Sequence, residues 1–321
     1  MSWQTFRSNL TIMPLFIRAL LKHPVAFVKA SWGARTQAKE LMTQGYELPY
    51  EIPEYGEGMP CCKSKEKYLR PTPMCESDAV EIIALSNKLG AFQKSDREYA
   101  EACFDFVKRN IQFSFFAPLQ GAVGTLKAGR GICMDNMSLF VALCRTAGIP
   151  ARYKIYNEAF ATPLYELFTA DSPILKDWYD AMGHFIMHGS CEALIEGKWV
   201  VGEFVLPPEL EAALGLPLSY LGEDASGVWC YPIPDATRRL ETLPRGLGLG
   251  MRLMMRPLGG LFMGVELRLQ EKLKEGARIL EEMGEEEYDR RIRKRYRFTL
   301  PRITLEKLGK KGIITDTSIE Q

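Results

Sequence analysis

The chain has 321 residues, which is enough for one large domain with additions or for two modest domains. Hydrophobic residues make up 46% of the chain and charged residues 25%, so we expect a sizeable core, and this composition excludes wholesale disorder. The formal net charge of +1 excludes a strong overall attraction to nucleic acid or to acidic lipid.

The first part of the chain, residues 1 to about 45, is predicted to be helical. Residues 10–28 are typical of an amphipathic helix, which could lie on a membrane or a partner, or pack on the protein's own core. The usual burial of such apolar faces favours the core. Because Pro14 and Arg18 interrupt the apolar run, and no small-residue cleavage pattern follows it, we expect neither a signal peptide nor a spanning helix.

The eight cysteines contain no C-x-x-C pair, which argues against a zinc ribbon or a thioredoxin-like redox centre. Disulfide frameworks belong to small secreted chains, and this chain is not small. We therefore expect reduced thiols and a cytoplasmic protein.

Residues 46–75 are rich in Pro, Gly and charge, which indicates a linker or a surface strap. A helix is predicted from about Asp78 to Leu89, with Gly90 at its stop position. Ser95 and Glu98 then form a capping-box pattern that opens a second helix. Its predicted core-facing residues, at helical spacing, are Ala100, Cys103, Phe104, Val107 and Ile111.

A third helix is predicted from Cys133 to about Ala147, and its apolar residues on both faces predict that it is buried. The sequence Gly148-Ile149-Pro150 should end it. A strand is predicted from Ala151 to Tyr156, followed at residues 157–183 by an insertion with some helix.

A β-hairpin is predicted next. Its strands are His184 to Ile195 and Lys198 to Val205, and Glu196-Gly197 is the two-residue turn between them. Pro207 and the proline after it should end the ladder.

The C-terminal part contains a segment rich in Gly, Met and Leu at residues 245–264, then a charged helix from about Val265. This helix carries an acidic run followed by a basic run. Such a pattern is typical of a solvated face that pairs with itself, so nucleic acid is not an expected partner.

Cys133 stands where Gly131 and Ile132 lead into a helix. The positive end of the helix dipole favours a thiolate there, and free backbone N–H groups at a helix start can bind an oxyanion. A cysteine nucleophile also needs a base within hydrogen-bond reach and a group that orients the base.

The chain has three histidines, and His23 has no motif around it. In the predicted hairpin register, His188 faces Val205, so Glu203 is a diagonal neighbour of His188 on the same face. His184 would lie opposite a residue beyond Pro207, outside the paired part of the hairpin. Glu192 shares the face of His188 but lies roughly 13 Å away along the strand.

Each of Cys133, His188 and Glu203 is, by itself, more often a structural residue than a catalytic one. Together, a cysteine that begins a helix and a histidine–acid hairpin point to one site.

The run from Gly131 to Arg152 reads GICMDNMSLFVALCRTAGIPAR. It resembles the nucleophile segment of the transglutaminase-like superfamily, in which G-x-C opens an apolar helix that ends in R-x-x-G-I-P-A-R. The second segment, with His188, Glu192, Gly197-Lys198-Trp199 and position 203, is similar to the family's H-x-x-x-E…G-x-W…acid block. The resemblance spans about residues 76–206.

The sequence departs from the family pattern in three places. Ser190 stands where an aromatic residue is usual, and Glu203 where the acid is usually Asp. The interval between Arg152 and His188 is longer than in a compact member.

The resemblance implies an α+β, papain-like core, in which the helix that bears the nucleophile packs on an antiparallel sheet. We divide the chain into an N-terminal helical extension with a strap (1–75), a transglutaminase-like catalytic core (76–206) and a mostly helical C-terminal extension (207–321). The resemblance also implies acyl transfer with Cys133 as nucleophile, His188 as base and Glu203 as the acid that orients it. It implies no metal and no organic cofactor.

Hydrolysis of an amide or peptide bond is the favoured reaction, with a peptide, a protein or a small amide as substrate. One alternative is an amide-forming acyltransferase that acts on a carrier-bound thioester. In that case the insertion at 157–183 and the Met-rich residues 251–263 could serve a carrier-protein partner or an acyl chain, although core filling is favoured for those methionines. Another alternative is a non-catalytic member that binds peptide or scaffolds a complex.

Overall fold

A computed structural model describes residues 14–33, 47–117, 119–234, 236–244 and 246–314. The helix predicted over residues 1–45 therefore lies partly outside the described residues.

The fold mixes helix and strand, at 49% and 14% of the chain, as the α+β prediction requires. The described helices are α1 (14–22), α2 (Pro24–Gly33), α3 (Val80–Lys88), α4 (Asp96–Asn110), α5 (Gly121–Ala128), α6 (Cys133–Thr146), α7 (Thr162–Thr169), α8 (Pro173–Met182), α9 (Pro208–Ala213), α10 (Leu247–Met283), α11 (Glu285–Arg295) and α12 (Arg302–Lys310). The described strands are β1 (Gln112–Phe113), β2 (Arg130–Gly131), β3 (Ala151–Phe160), β4 (Phe185–Ile195), β5 (Lys198–Gly202), β6 (Cys230–Pro232) and β7 (Arg238–Leu240).

The main sheet has the strand order β5-β4-β3-β6, and β7 also pairs with β3. All of these pairings are antiparallel. The helix α6 packs against β3 and β4. This confirms the predicted architecture, a helix that begins at Cys133 packed on an antiparallel sheet.

The predicted helix stop after α3 and the predicted capping box of α4 both form. Gly90 follows α3 with a φ of 98°, a conformation that glycine adopts without a steric penalty. At the start of α4, the Ser95 hydroxyl accepts a hydrogen bond from Glu98 N at 3.3 Å, and the Glu98 carboxylate accepts one from Ser95 N at 3.0 Å. The predicted core-facing residues of α4 are all buried: Ala100, Cys103, Phe104, Val107 and Ile111.

The helix α6 is buried along its length, since every side chain from Met134 to Thr146 is buried. The predicted strap lies against the end of this helix, where Cys62 N donates to Thr146 O at 2.8 Å.

The division of the chain at residues 75 and 207 stays a prediction.

Two clusters of buried apolar side chains form the core around the sheet. One contains residues of α3, α4, α5 and α6 and of the strands β3 and β4. The other gathers α1, α7, α8 and α10 with β3 and β6. Cys133 packs against both clusters, so it lies where they meet.

The predicted turn of the hairpin is correct, because Ile195 pairs with Lys198. The predicted strand end at Val205 is wrong, because β5 ends at Gly202 and its last pair joins Gly202 to Cys191. The chain leaves the sheet at residue 203 and turns toward α9, whose first residue is a proline. The predicted pair of His188 with Val205 therefore does not form, and His188 pairs instead with Tyr156 of β3.

The strand β3 continues to Phe160, four residues past its predicted end, with an irregularity between Tyr156 and Glu158. The rest of the predicted insertion forms α7 and α8. In α8, Trp178 and Tyr179 are buried.

The charged C-terminal helix divides at Gly284 into α10 and α11. In α11 the two runs of charge pair with each other: Arg290 and Arg291 contact Glu287, and Arg293 contacts Asp289 at 2.6 Å. This agrees with the predicted self-pairing face. Of the Met-rich segment 251–263, the side chains of residues 251–258 lie outside the described ones, and Met263 is buried.

All eight cysteines are free thiols. Within the described part of the chain, no helix has both the length and the apolar character needed to cross a membrane.

Candidate active site

Cys133 is the first residue of α6 and is half-buried. Its position depends on the close packing of Gly131 against the Asp135 side chain. A Cβ on Gly131 would lie 2.4 Å from the Asp135 Cβ, so only glycine fits there. The Asp135 carboxylate accepts hydrogen bonds from Ile132 N at 3.2 Å and from Gln120 N at 2.8 Å. These contacts hold the start of the helix, where backbone N–H groups have no partner within the helix.

His188 lies on β4 and is 4% exposed. Its Nε2 is 3.2 Å from Glu203 Oε2, and Glu203 is also buried. The Tyr156 hydroxyl donates to the same carboxylate oxygen at 3.2 Å. The structure therefore brings the predicted base and the predicted acid into direct contact, although Glu203 lies just beyond β5 rather than in it.

A second buried carboxylate, Glu158 on β3, was missed by the sequence analysis. Its Oε1 is 3.3 Å from His188 Nδ1, and the side chain is 1% exposed. Glu158 lies two residues from Tyr156, which pairs with His188, so it is a diagonal neighbour across the strands. The diagonal rule would have found it only if the pairing of β3 with β4 and its register had been known.

The charges at this site depend on burial and on close pairing. Burial raises the pKa of Glu158 to about 7, although His188 opposes the shift. Burial by itself would lower the pKa of His188, but Glu158, Glu203 and a hydrogen bond with the Cys133 side chain outweigh it. The net effect raises the pKa of His188 well above its ordinary value. The arrangement therefore favours an imidazolium between the thiol and two carboxyl groups.

Aromatic rings fix the orientation of the imidazole. Tyr156 and Trp229 each contact the His188 ring edge to face, with ring centroids 5.1 Å apart in both cases. Several buried polar atoms in or next to this site have no hydrogen-bond partner among the described residues: Glu158 Oε2, Glu203 Oε1, Ser190 Oγ and Trp229 Nε1. Buried polar atoms of this kind commonly bind an ordered water molecule.

The other two histidines have different partners. His23 Nε2 is 2.8 Å from Asp177 Oδ2. His184 Nδ1 is 3.1 Å from the Met182 carbonyl oxygen, and burial lowers the pKa of His184 to about 4. Glu192, which shares the predicted face with His188, instead binds two arginines. Its partners are Arg152 at 2.6 Å and Arg239 at 3.0 Å.

Among the described residues, no group of three or more His, Cys, Asp or Glu side chains is placed to hold a metal ion.

Residues 83–203 match the family model of the transglutaminase-like superfamily. This segment is a transglutaminase-like domain. It contains the helix that begins at Cys133, the hairpin and Glu203. At the level of the family, the match supports a cysteine-based enzyme.

Among solved structures, part of this chain is similar to part of a proposed cysteine protease from Cytophaga hutchinsonii. The sequence identity is 24% and the TM-score is 0.33. The match covers 44% of this chain and 42% of that protein, so it spans less than half of either. No curated protein matches the chain.

Proposed function

We propose that the protein is a cysteine-dependent amidohydrolase or peptidase, which transfers an acyl group from an amide bond to Cys133 and then to water. The observation that carries this proposal is the contact of His188 both with Cys133, the first residue of α6, and with Glu203. Such an arrangement of thiol, base and acid is what a cysteine nucleophile requires.

In the first step, the Cys133 thiolate attacks the amide carbonyl carbon, and a C–S bond forms. The backbone N–H of Cys133, at the helix start, stabilises the negative oxygen of the tetrahedral intermediate. The C–N bond then breaks, and the His188 imidazolium donates its proton to the leaving amine. In the second step, His188 takes a proton from water as the water oxygen attacks the thioester carbonyl carbon. The C–S bond then breaks, which releases the carboxylic acid and the Cys133 thiolate beside the His188 imidazolium.

Glu203 acts through His188. Its carboxylate accepts the Nε2–H of the imidazole, which holds the ring in one orientation and stabilises the imidazolium. Tyr156 in turn holds the Glu203 carboxylate.

An amide-forming acyltransferase that takes a carrier-bound thioester is the second candidate. It shares the Cys133 thioester and differs only in the second nucleophile, which is an amine instead of water. The observation that favours it is the burial of His188, because a buried imidazole leaves little room for the water molecule that it would have to activate. The side chains of most of the Met-rich segment are not described, so the proposed carrier-protein contact at residues 251–263 rests on sequence alone.

An activated ester, p-nitrophenyl acetate, tests both candidates. Intact-protein mass spectrometry is expected to find one acetyl group, which peptide mapping assigns to Cys133. Spontaneous loss of the acetyl group in buffer supports the hydrolase. A thioester that persists in water but transfers its acetyl group to added glycinamide supports the acyltransferase.

The controls for this experiment are two cysteine variants. Cys133→Ala should take up no acetyl group, whereas Cys61→Ala, which removes another half-buried thiol, should behave as the wild type. Equal labelling of Cys133→Ala and the wild type would contradict both candidates and would favour the non-catalytic, peptide-binding alternative.

Glu158 is expected to control the protonation of His188. Replacing it with glutamine removes a negative charge 3.3 Å from Nδ1 and so destabilises the imidazolium. We expect the pH at which His188 loses its proton to fall clearly below that of the wild type. Because the chain has three histidines, NMR titration of their ring nitrogens can follow His188, with His188→Gln to assign its signals.

Glu192→Gln is the matched control, because Glu192 is also a buried glutamate of the sheet but binds arginines instead of His188. It should leave the titration of His188 unchanged. An unaltered midpoint in Glu158→Gln would show that Glu158 does not stabilise the imidazolium.

A further inference from the structure

A row of exposed aliphatic side chains follows α1 and α2. The row contains Ile17, Leu21, Val25 and Val28, which are 46%, 75%, 67% and 51% exposed. Their spacing of four, four and three residues is the spacing of one helix face. The two helices are nearly continuous, since Phe27 N donates to His23 O across the break between them.

The opposite side of these helices is packed on the protein. Ala19 is buried, and the Phe16 ring contacts Trp178 with ring centroids 5.1 Å apart. Lys22 and His23 both bind Asp177 of α8, at 2.6 and 2.8 Å. The orientation of α1 and α2 is therefore held by specific contacts, and the aliphatic row faces outward because the other face is occupied.

The part of the sequence that contains this row is rich in basic residues. The first 39 residues contain six Lys or Arg and no Asp or Glu, although acidic residues number 40 in the whole chain and nearly balance its basic ones. Arg18 and Lys29 flank the row, are exposed and form no ion pair with another described residue.

We propose that this face of α1 and α2 binds the surface of an anionic lipid membrane. The aliphatic row would enter the boundary between headgroups and acyl chains, while Arg18 and Lys29 would lie at the level of the lipid phosphates. Helices that lie in a membrane interface combine these two features, an apolar face and flanking cations. A row of four aliphatic side chains without an aromatic or hydrogen-bonding group is less typical of a protein interface, whose core is enriched in aromatic residues.

Vesicle sedimentation of the full chain tests the proposal. The protein is expected to bind vesicles of phosphatidylcholine with phosphatidylglycerol more tightly than vesicles of phosphatidylcholine alone. Added salt should weaken the binding, because it screens the basic residues. The double variant Leu21→Glu, Val25→Glu should lower the partition coefficient by at least about tenfold, since two apolar side chains no longer enter the lipid.

Two further variants separate the contributions. Arg18→Gln with Lys29→Gln should remove much of the preference for phosphatidylglycerol. Val80→Glu is the matched control, because Val80 on α3 is 49% exposed but lies outside the row, and this variant should bind as the wild type. Circular dichroism checks that each variant is folded, and Leu21→Ser replaces the double variant if that one is not.

The proposal is overturned if the wild type does not bind phosphatidylglycerol vesicles, or if the row variants bind as well as the wild type. It is also overturned if the wild type is a dimer without vesicles and the row variants are monomers, because the row would then be covered by a second copy of the chain. None of these readouts uses the catalytic activity, so they stand apart from the proposed function.

Discussion

Iodoacetamide is expected to alkylate Cys133 rapidly at about pH 6, and His188→Ala to slow this reaction roughly a hundredfold. The thiolate is the form that reacts, and an ordinary free thiol is almost entirely protonated at this pH. The positive charge of the His188 imidazolium, which Glu203 stabilises, should favour the reactive thiolate form of the thiol beside it. Without the imidazole, Cys133 retains only the effect of the helix N-terminus.

The rates can be measured by quenched alkylation followed by peptide mass spectrometry. Cys61 and Cys62, which are half-buried and lie outside the site, provide internal controls in every sample. Glu203→Gln should fall between the wild type and His188→Ala, because it removes a carboxylate that stabilises the imidazolium. If Cys133 reacts no faster than Cys61 and Cys62, or equally fast without His188, the proposed thiolate–imidazolium pair is absent.

Arg145→Leu is expected to lower the free energy of unfolding by roughly 3 to 5 kcal/mol. Arg145 lies near the end of α6 and is completely buried. Its guanidinium donates hydrogen bonds to three backbone carbonyl oxygens: Ala151 at 3.1 and 2.9 Å, Arg70 at 2.8 Å and Glu241 at 2.7 Å. Leucine would leave all three carbonyl groups buried without this partner.

These contacts join the strap, the start of β3 and the chain after β7 to the end of α6, so their loss should weaken the packing around the whole helix. Urea denaturation followed by circular dichroism measures the change. Arg290→Leu is the control, because Arg290 pairs with Glu287 on the surface of α11, where a single ion pair adds little stability. A loss in Arg145→Leu no larger than the loss in Arg290→Leu would show that the buried hydrogen bonds are not needed.

The sequence by itself determined the elements that carry the predicted site. The two-residue hairpin turn follows from Glu196-Gly197, whose φ angles of 51° and 77° both lie in the left-handed region that such turns require. The position of Cys133 at a helix start follows from Gly131 and from the apolar pattern after it. These features depend on neighbouring residues, so local spacing was enough to predict them. Because Glu203 lies only 15 residues from His188, across that turn, their contact could be predicted as well.

Only the tertiary structure placed Glu158 and Trp229 beside His188. Glu158 approaches through the pairing of β3 with β4, two strands separated by α7 and α8, and Trp229 lies beside β6, the next strand outward. A strand's own sequence does not determine which distant strand pairs with it, or where a bulge shifts the register. The sequence could not predict the exposed row on α1 and α2, for a related reason. Apolar residues of these helices lie both in the row and on the packed side, as at Phe16 and Ala19, so their sequence could not show which of them remain in solvent.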